Sequence, residues 1–389
     1  MMKIVKAYKF RLYPTEEQKN KINQTIGSAR FIYNKMLEDK INYYNEHKKS
    51  LNNTPAQYKN EYEFLKEVDS QALSQSHQDL MVAYNRFFNK QSNFPKFKKK
   101  GVRDSYRSCV VNNNIRIEDG YLKLPKVGLV EIRMERQLPK GAAIKSVTIS
   151  KTKTNKYFAS INFQYKKEVE QVQPESYLGL DFAMSDFYVD SEGNKGNYPK
   201  FFRNSQEKLA KEQKKLSRMV KGSNNYNKQK IKVAKVYEKI ANQRKDFLHK
   251  TSRKIANSYD VVCVEDLNMK AMSQAFKFGK SVHDNGWGMF VNMLRYKLEE
   301  SGKYLITADK FFPSTKQCSS CSYRKDEMPL SERTYECESC GLEIDRDLNA
   351  ALNLKQCAIE SLQANRASSD SVVYNNTNRG KHGASLPML

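Results

Sequence analysis

The sequence predicts an α+β chain of several domains: a small antiparallel β-barrel or sandwich carrying a helical insertion, then an α/β unit interrupted by a cysteine-rich module. Three observations predict it. Short runs of alternating apolar and polar residues occur at 2–12 and again from about 103 to 167, the period of half-buried strands. Apolar residues at helical spacing fill much of 15–90 and the stretch after 200. Two Cys-x-x-Cys pairs, Cys318/Cys321 and Cys337/Cys340, stand 15 residues apart.

Taken in order, Met2–Leu12 reads as a strand that Pro14 ends. Thr15 with Gln18 forms a capping box, and Glu16 and Glu17 suit the first turn of a helix running to about residue 46. Helical stretches follow at about 59–67 and 70–90. A basic loop with interleaved aromatics, Phe94-Pro95-Lys96-Phe97-Lys98-Lys99-Lys100, closes this region. The strands of 103–167 turn at Glu118-Asp119-Gly120 and Thr154-Asn155. Their regular spacing fits a small barrel or sandwich, and the opening strand is expected to join it, which makes 13–100 an insertion. After a linker near 168–176, strands are expected at Tyr177–Asp181, Asp186–Asp190 and Tyr259–Asp266, long helices over 201–254, a helix near 286–301 and a strand near 303–308. A last helix starts around Asp345 and runs to about 364, and 366–389 reads as a flexible tail rich in Ser, Asn and Gly.

Length and charge limit the function. At about 150 residues per domain, 389 residues make two to four domains. Lys and Arg number 68 against 43 Asp and Glu, a net charge of +25, which points to a nucleic-acid partner. Residues 201–254 alone carry 17 Lys/Arg and four acids. A hydrophobic content of 39%, with 23 Tyr and 19 Phe, argues against a disordered basic protein. No apolar run approaches about 18 residues and the N-terminus lacks an apolar signal region, so the expectation is a cytoplasmic protein with no membrane contact.

The cysteines carry the most specific chemistry. Two knuckles at this spacing fit a structural Zn²⁺ site, with Cys318, Cys321, Cys337 and Cys340 as ligands closing the coordination sphere. Cys109, Cys263 and Cys357 stand alone in the sequence. The acids are a subtler signal. Asp181 follows Leu178-Gly179-Leu180, Glu265 ends Val261-Val262-Cys263-Val264, and Asp347 opens a helix reading Leu348-Asn349-Ala350-Ala351-Leu352. Three acids at strand and helix ends can converge at the carboxyl edge of one sheet. Such a group repels itself unless cations neutralise it, as two Mg²⁺ about 4 Å apart do in phosphodiester hydrolysis. Each acid taken singly could equally cap a turn or pair with a cation.

The order of segments resembles the TnpB (OrfB) family of nucleases encoded by insertion sequences, relatives of compact type V CRISPR effectors. The resemblance covers nearly the whole chain. It rests on Tyr8-Lys9-Phe10-Arg11-Leu12-Tyr13-Pro14-Thr15-Glu16-Glu17-Gln18, Asn93-Phe94-Pro95-Lys96-Phe97-Lys98, Leu178-Gly179-Leu180-Asp181, Val264-Glu265-Asp266-Leu267-Asn268 and Pro313-Ser314-Thr315-Lys316-Gln317-Cys318-Ser319-Ser320-Cys321. Its most specific part is Cys337-Glu338-Ser339-Cys340-Gly341 followed by Asp345-Arg346-Asp347-Leu348-Asn349-Ala350-Ala351.

The resemblance implies a wedge β-barrel (1–12 and 101–170), a helical recognition insertion (13–100), a RuvC-like nuclease of RNase H type (177–310 and 342–365) and a zinc ribbon (311–341). It implies a transposon-associated, RNA-guided, metal-dependent endonuclease cutting double-stranded DNA beside a short adjacent motif, with a structured guide RNA as partner and Mg²⁺ as catalytic cofactor. By motif position Asp181, Glu265 and Asp347 match the catalytic acids, with Asp345 the rival for the third place. Pairing with the guide reads the target, while protein side chains read the adjacent motif. Ser70, Gln71, Ser74 and Gln75 are candidate base readers. Lys96, Lys98, Lys99, Lys100, Lys214, Lys215 and Arg218 are candidate phosphate contacts. A silent DNA-binding regulator and a strand-transfer transposase are the rivals; whether the protein is a monomer or a dimer is left open.

Overall fold

The structure, a computed structural model, describes residues 2–275, 284–329 and 331–367. The tail at 366–389 therefore lies outside the described residues except for its first two positions. The chain divides into two compact units, one of residues 1–168 with 216–235, the other of 169–215 with 236–389.

In the first unit, strands β1 (Met2–Tyr13), β2 (Asp104–Cys109), β3 (Arg116–Glu118), β4 (Tyr121–Leu124), β5 (Gly128–Arg133), β6 (Ala143–Lys151) and β7 (Tyr157–Lys167) make one antiparallel sheet. Its order is β2-β6-β7-β1-β5-β4-β3. The edge strands β2 and β3 are not paired with each other, so the sheet is curled without being closed by hydrogen bonds. It curls because side chains from all seven strands share one core, including Phe10, Tyr106, Leu122, Val130, Val147 and Ile161, with Ile117 of β3 against it. Asp119 and Gly120 both take positive φ, 48° and 79°, the backbone that a two-residue hairpin turn requires.

Strand β1 sits between β7 and β5 in that sheet, and the chain from 14 to 103 leaves and returns as an insertion. Helix α1 (Glu16–His47) begins at the expected box: the Thr15 hydroxyl accepts from Gln18 N, and Thr15 N donates to the Gln18 side chain at 3.0 Å. Its early turns (Ile22, Ile26, Ala29) join the sheet's core. Its later turns (Ile32, Met36, Leu37) pack with Leu73 and Leu80 of α2 (Ser70–Phe88). The helix expected at about 59–67 is instead two 3-10 turns, Gln57–Lys59 and Glu63–Leu65. Tyr58 and Leu65 are buried in the helical core.

The second unit holds a four-stranded sheet of order β11-β10-β8-β9, from β8 (Tyr177–Asp181), β9 (Val189–Asp190), β10 (Val261–Glu265) and β11 (Tyr304–Ala308). Strand β10 pairs in parallel with both β8 and β11, and the unbroken apolar runs Leu178–Leu180 and Val261–Val264 suit a sheet buried on both faces. The strand expected over Asp186–Asp190 is only two residues long. Phe187 has φ 81° and is fully buried, its ring 5.7 Å from Phe247, 5.5 Å from Trp287 and 5.0 Å from Phe290. Packing this ring turns the backbone out of the sheet.

The helices after β9 are α3 (Phe201–Ser217), α4 (Asn224–Ser258), α5 (Met269–Ala275), α6 (Trp287–Glu299) and α7 (Arg346–Ala367). Helix α7 packs on β8 at Gly179, where a Cβ would lie 1.9 Å from the Ala351 carbonyl oxygen and 2.6 Å from Lys355 N. Only glycine permits that approach. Cys263 and Cys357, isolated in the sequence, meet in the core beneath this helix. Strands β12 (Thr334–Glu336) and β13 (Glu343–Asp345) form a hairpin beside the cysteine pairs, with Tyr335 fully buried.

Candidate active site and metal centre

Parallel register builds the acidic site. Val264 lies opposite Leu180, so the next residues, Glu265 and Asp181, end adjacent strands at the same edge. Asp181 is only 5% exposed. Burial, and then the negative charges of Glu265 and Asp347, push its carboxyl well above the usual range, with the Arg346 guanidinium working the other way. Glu265 is raised too, by burial and by the charge of Asp347, although the Ser314 hydroxyl bonding to it opposes the shift. Charges from two separate segments, Glu265 and Asp347, therefore bear on Asp181. Like-charged carboxylates held together at low exposure are unfavourable without a cation.

Asp347 comes from the first turn of α7 and pairs with Arg346 at 3.2 Å and Arg333 at 4.0 Å. Its rival Asp345 does different work. The Asp345 carboxylate accepts from Asp347 N at 2.9 Å and Leu348 N at 3.0 Å, the bonds of a helix N-cap. Asp345 is exposed.

Oxygen donors and a surplus of negative charge suit hard divalent cations such as Mg²⁺. Asp181, Glu265 and Asp347 supply both. The sulfur centre is more tightly gathered. Among the described residues, Cys318, Cys321, Cys337 and Cys340 are the one set of three or more metal-ligating side chains whose donor atoms converge, all within 4.8 Å of one another. The Sγ atoms of Cys318 and Cys340 are 3.7 Å apart, and those of Cys321 and Cys337 3.5 Å. A disulfide needs about 2.05 Å. Four thiolates about 2.3 Å from a tetrahedral Zn²⁺ sit roughly 3.8 Å apart, which matches. Burial works against ionising Cys337, yet backbone N–H groups of Cys340 and Ser339 and the neighbouring thiols hold its pKa down to about 6.

Residues that sequence reasoning passed over tie the two centres together. Asn349 Oδ1 accepts from Ser319 N at 2.9 Å, and its Nδ2 donates to the Gln317 carbonyl at 2.7 Å. Asn353 donates to the carbonyls of Ser314 at 2.8 Å and Gln317 at 2.6 Å. Both asparagines are buried, and their spacing of four on an otherwise apolar helix was the available signal. They fix the segment 314–319, which presents Ser314 to Glu265 at one end and Cys318 to the thiol cluster at the other.

The candidate nucleic-acid contacts fare unequally. Ser70 is exposed, and Gln71 and Ser74 are half-buried on α2, whereas Gln75 is 6% exposed and packed inward. Gln75 does not present its amide to a partner in this structure, because its place on the helix faces the core. Lys96, Lys99 and Lys100 are exposed. Lys98 is engaged within the protein: its ammonium lies 3.9 Å from the Tyr33 ring centroid and 3.6 Å from Asp79, and burial lowers its pKa. Lys214, Lys215 and Arg218 are exposed, with Lys215 paired to Glu212 at 3.3 Å.

Comparison with known proteins settles the family. A protein of Streptomyces pristinaespiralis described as "Putative RNA-guided DNA endonuclease" is 33% identical over 91% of this chain and 89% of its own length. The chain belongs to the TnpB (OrfB) family. Another relative, "Putative RNA-guided DNA endonuclease InsQ" of Escherichia coli (strain K12), is 30% identical over 91% of this TnpB-family chain and 92% of its own length. Residues 160–275 match the OrfB_IS605 family described as "Probable transposase", and 287–354 match "Cas12f1-like, TNB domain". Residues 1–49 match a family described as "Helix-turn-helix domain", although here they form a strand and one long helix. The fold is shared with a chain of a Cas12f1–sgRNA–target DNA complex, at a TM-score of 0.53 and 13% identity, covering 91% of this chain and 99% of that one. Among the described residues, no helix is long and apolar enough to cross a membrane.

Proposed function

We propose that this protein is an RNA-guided DNA endonuclease that hydrolyses phosphodiester bonds of double-stranded DNA beside a short adjacent motif, with Asp181, Glu265 and Asp347 as its catalytic acids. The observation that carries this reading is the self-repelling carboxylate group at the ends of β8 and β10 and the start of α7, placed in a chain of net charge +25. The names of the two relatives described above and the Cas12f1-like fold support it.

The three acids would hold two Mg²⁺, which supply charge neutralisation of the phosphate and activation of the attacking water. Ser314 orients Glu265, while Arg346 and Arg333 orient Asp347 and limit the negative charge around it. Cys318, Cys321, Cys337 and Cys340 would hold a structural Zn²⁺, making 311–341 a zinc ribbon set within a RuvC-like nuclease of 177–310 and 342–365. Residues 1–12 with 101–170 serve as the wedge and 13–100 as the recognition insertion. Ser70, Gln71 and Ser74 are the available readers of the adjacent motif. Lys96, Lys99, Lys100, Lys214, Lys215 and Arg218 contact phosphates of the guide RNA scaffold and the heteroduplex.

The test is cleavage of a matched duplex by protein purified with its own RNA in Mg²⁺. Asp181→Ala and Asp347→Ala should abolish cutting yet keep guide-dependent binding, while Asp345→Ala should still cut. Retained cleavage by Asp347→Ala would overturn the assignment. The match to a family described as a transposase favours one other reading, DNA strand transfer. That activity would survive RNase treatment, whereas guided cleavage should not.

A further inference from the structure

Residues 81–100 contain five aromatic side chains, six Lys or Arg and no Asp or Glu. Helix α2 ends there in a tight reversal. Lys90 takes φ 57°, and the N–H groups of Gln91 and Ser92 bond back to the Arg86 carbonyl at 2.8 and 3.2 Å. The reversal returns Phe94 against the helix end, edge-on to Tyr84 at 5.6 Å and to Phe87 at 5.3 Å. Phe88 joins the group, stacked 6.1 Å from Tyr84 and 5.4 Å from Phe87. Tyr84 packs on the helical core, so the cluster is rooted. Its outer rings are not covered: Phe88 is 69% exposed and Phe94 42%. Arg86, Lys90 and Lys96 are exposed on the same segment.

We propose that this cluster is a stacking platform for unpaired bases of a single nucleic-acid strand, with Phe88 and Phe94 as the ring surfaces and Arg86, Lys90 and Lys96 holding the adjoining phosphates. The choice of occupant rests on charge complementarity and on the proposed nucleic-acid function. Rings set among cations, on a segment that carries no acid of its own, match a polyanion whose faces are aromatic, and every unstacked base offers such a face. A duplex does not, because its bases are already stacked. Lys98, committed to Tyr33 and Asp79, is not among the phosphate contacts.

The test uses the full-length protein, freed of nucleic acid, with fluorescein-labelled dT12, rU12 and an abasic deoxyribose-phosphate strand of the same length, read by anisotropy. Phe88→Ala/Phe94→Ala should weaken dT12 or rU12 binding about tenfold or more and leave abasic-strand binding unchanged. Phe88→Leu, which keeps the apolar bulk without the aromatic face, should weaken it as well. The tighter of dT12 and rU12 identifies the source of the strand. Binding by Phe88→Leu and the double variant at the level of the unmodified protein would overturn the platform while leaving the nucleic-acid function standing. Failure of the unmodified protein to bind any strand would overturn both. Self-association lost on Phe88→Ala would assign the patch to a second copy of the chain and overturn the proposal.

Discussion

The Ser314 hydroxyl donates a hydrogen bond to the Glu265 carboxylate. Ser314 is itself buried, held through its carbonyl by Asn353 of α7, so the acid at the end of β10 is oriented by the segment that leads into the cysteines. A partner that orients a metal-binding carboxylate typically contributes 10- to 100-fold to affinity or activity. Ser314→Ala should therefore lower cleavage by roughly tenfold at fixed Mg²⁺ and shift the Mg²⁺ dependence to higher concentration. Ser314→Thr, which keeps the hydroxyl, should recover most of the loss. Cleavage rates across a Mg²⁺ series decide it; an unchanged Mg²⁺ dependence in Ser314→Ala would remove the positioning role.

The thiol cluster gives a stoichiometric prediction. Cys318→Ser removes one of four converging sulfurs, and bound zinc should fall well below one per chain by elemental analysis. Because a structural Zn²⁺ contributes folding energy directly, the module around β12 and β13 should also lose protection from proteolysis. Full zinc content in the variant would exclude these ligands.

Two glycine substitutions should have opposite signs. In Gly179→Ala the new Cβ meets backbone atoms of α7 that cannot rotate away, and overpacking of this kind costs about 1–3 kcal/mol or more. Gly27 lies inside helix α1 with nothing within 4 Å of its Cβ position, so Gly27→Ala should stabilise by about 0.5–1 kcal/mol. Denaturant midpoints measure both.

Lys297 predicts a pH dependence. It is 2% exposed, donates to the His249 carbonyl and the Ser252 hydroxyl, both at 2.7 Å, and burial followed by the charge of Arg253 lowers its pKa to about 8 from 10.5. Below pH 8 the lysine is protonated in both states and its burial penalty is fully present. Between about 8 and 10.5 the unfolded chain binds more protons, so stability rises with pH by up to roughly 3 kcal/mol. Urea midpoints at pH 7.5 and 10 should show this rise, and Lys297→Met should flatten it.

Much of the fold was legible because its signals are local. Alternation set the strands of the first sheet, the Thr15–Gln18 box set the start of α1, and the spacing of Cys318, Cys321, Cys337 and Cys340 set their convergence. Phe187 was not legible, since a ring drawn into a distant aromatic core overrides the strand pattern around it. Gln75 was not either: a polar residue on a helix carries no mark of which neighbour covers it.

The sequence by itself determined most of the elements, the four cysteines that converge and three acids at strand and helix ends, since periodicity, capping and short spacing act between residues close along the chain. Tertiary structure alone decided that Asp181, Glu265 and Asp347 share one electrostatic environment while Asp345 caps a helix, that Ser314 reaches Glu265, and that Phe94 folds back onto α2. Those outcomes depend on strand register and close backbone approach between distant segments, and such contacts leave no period in the sequence.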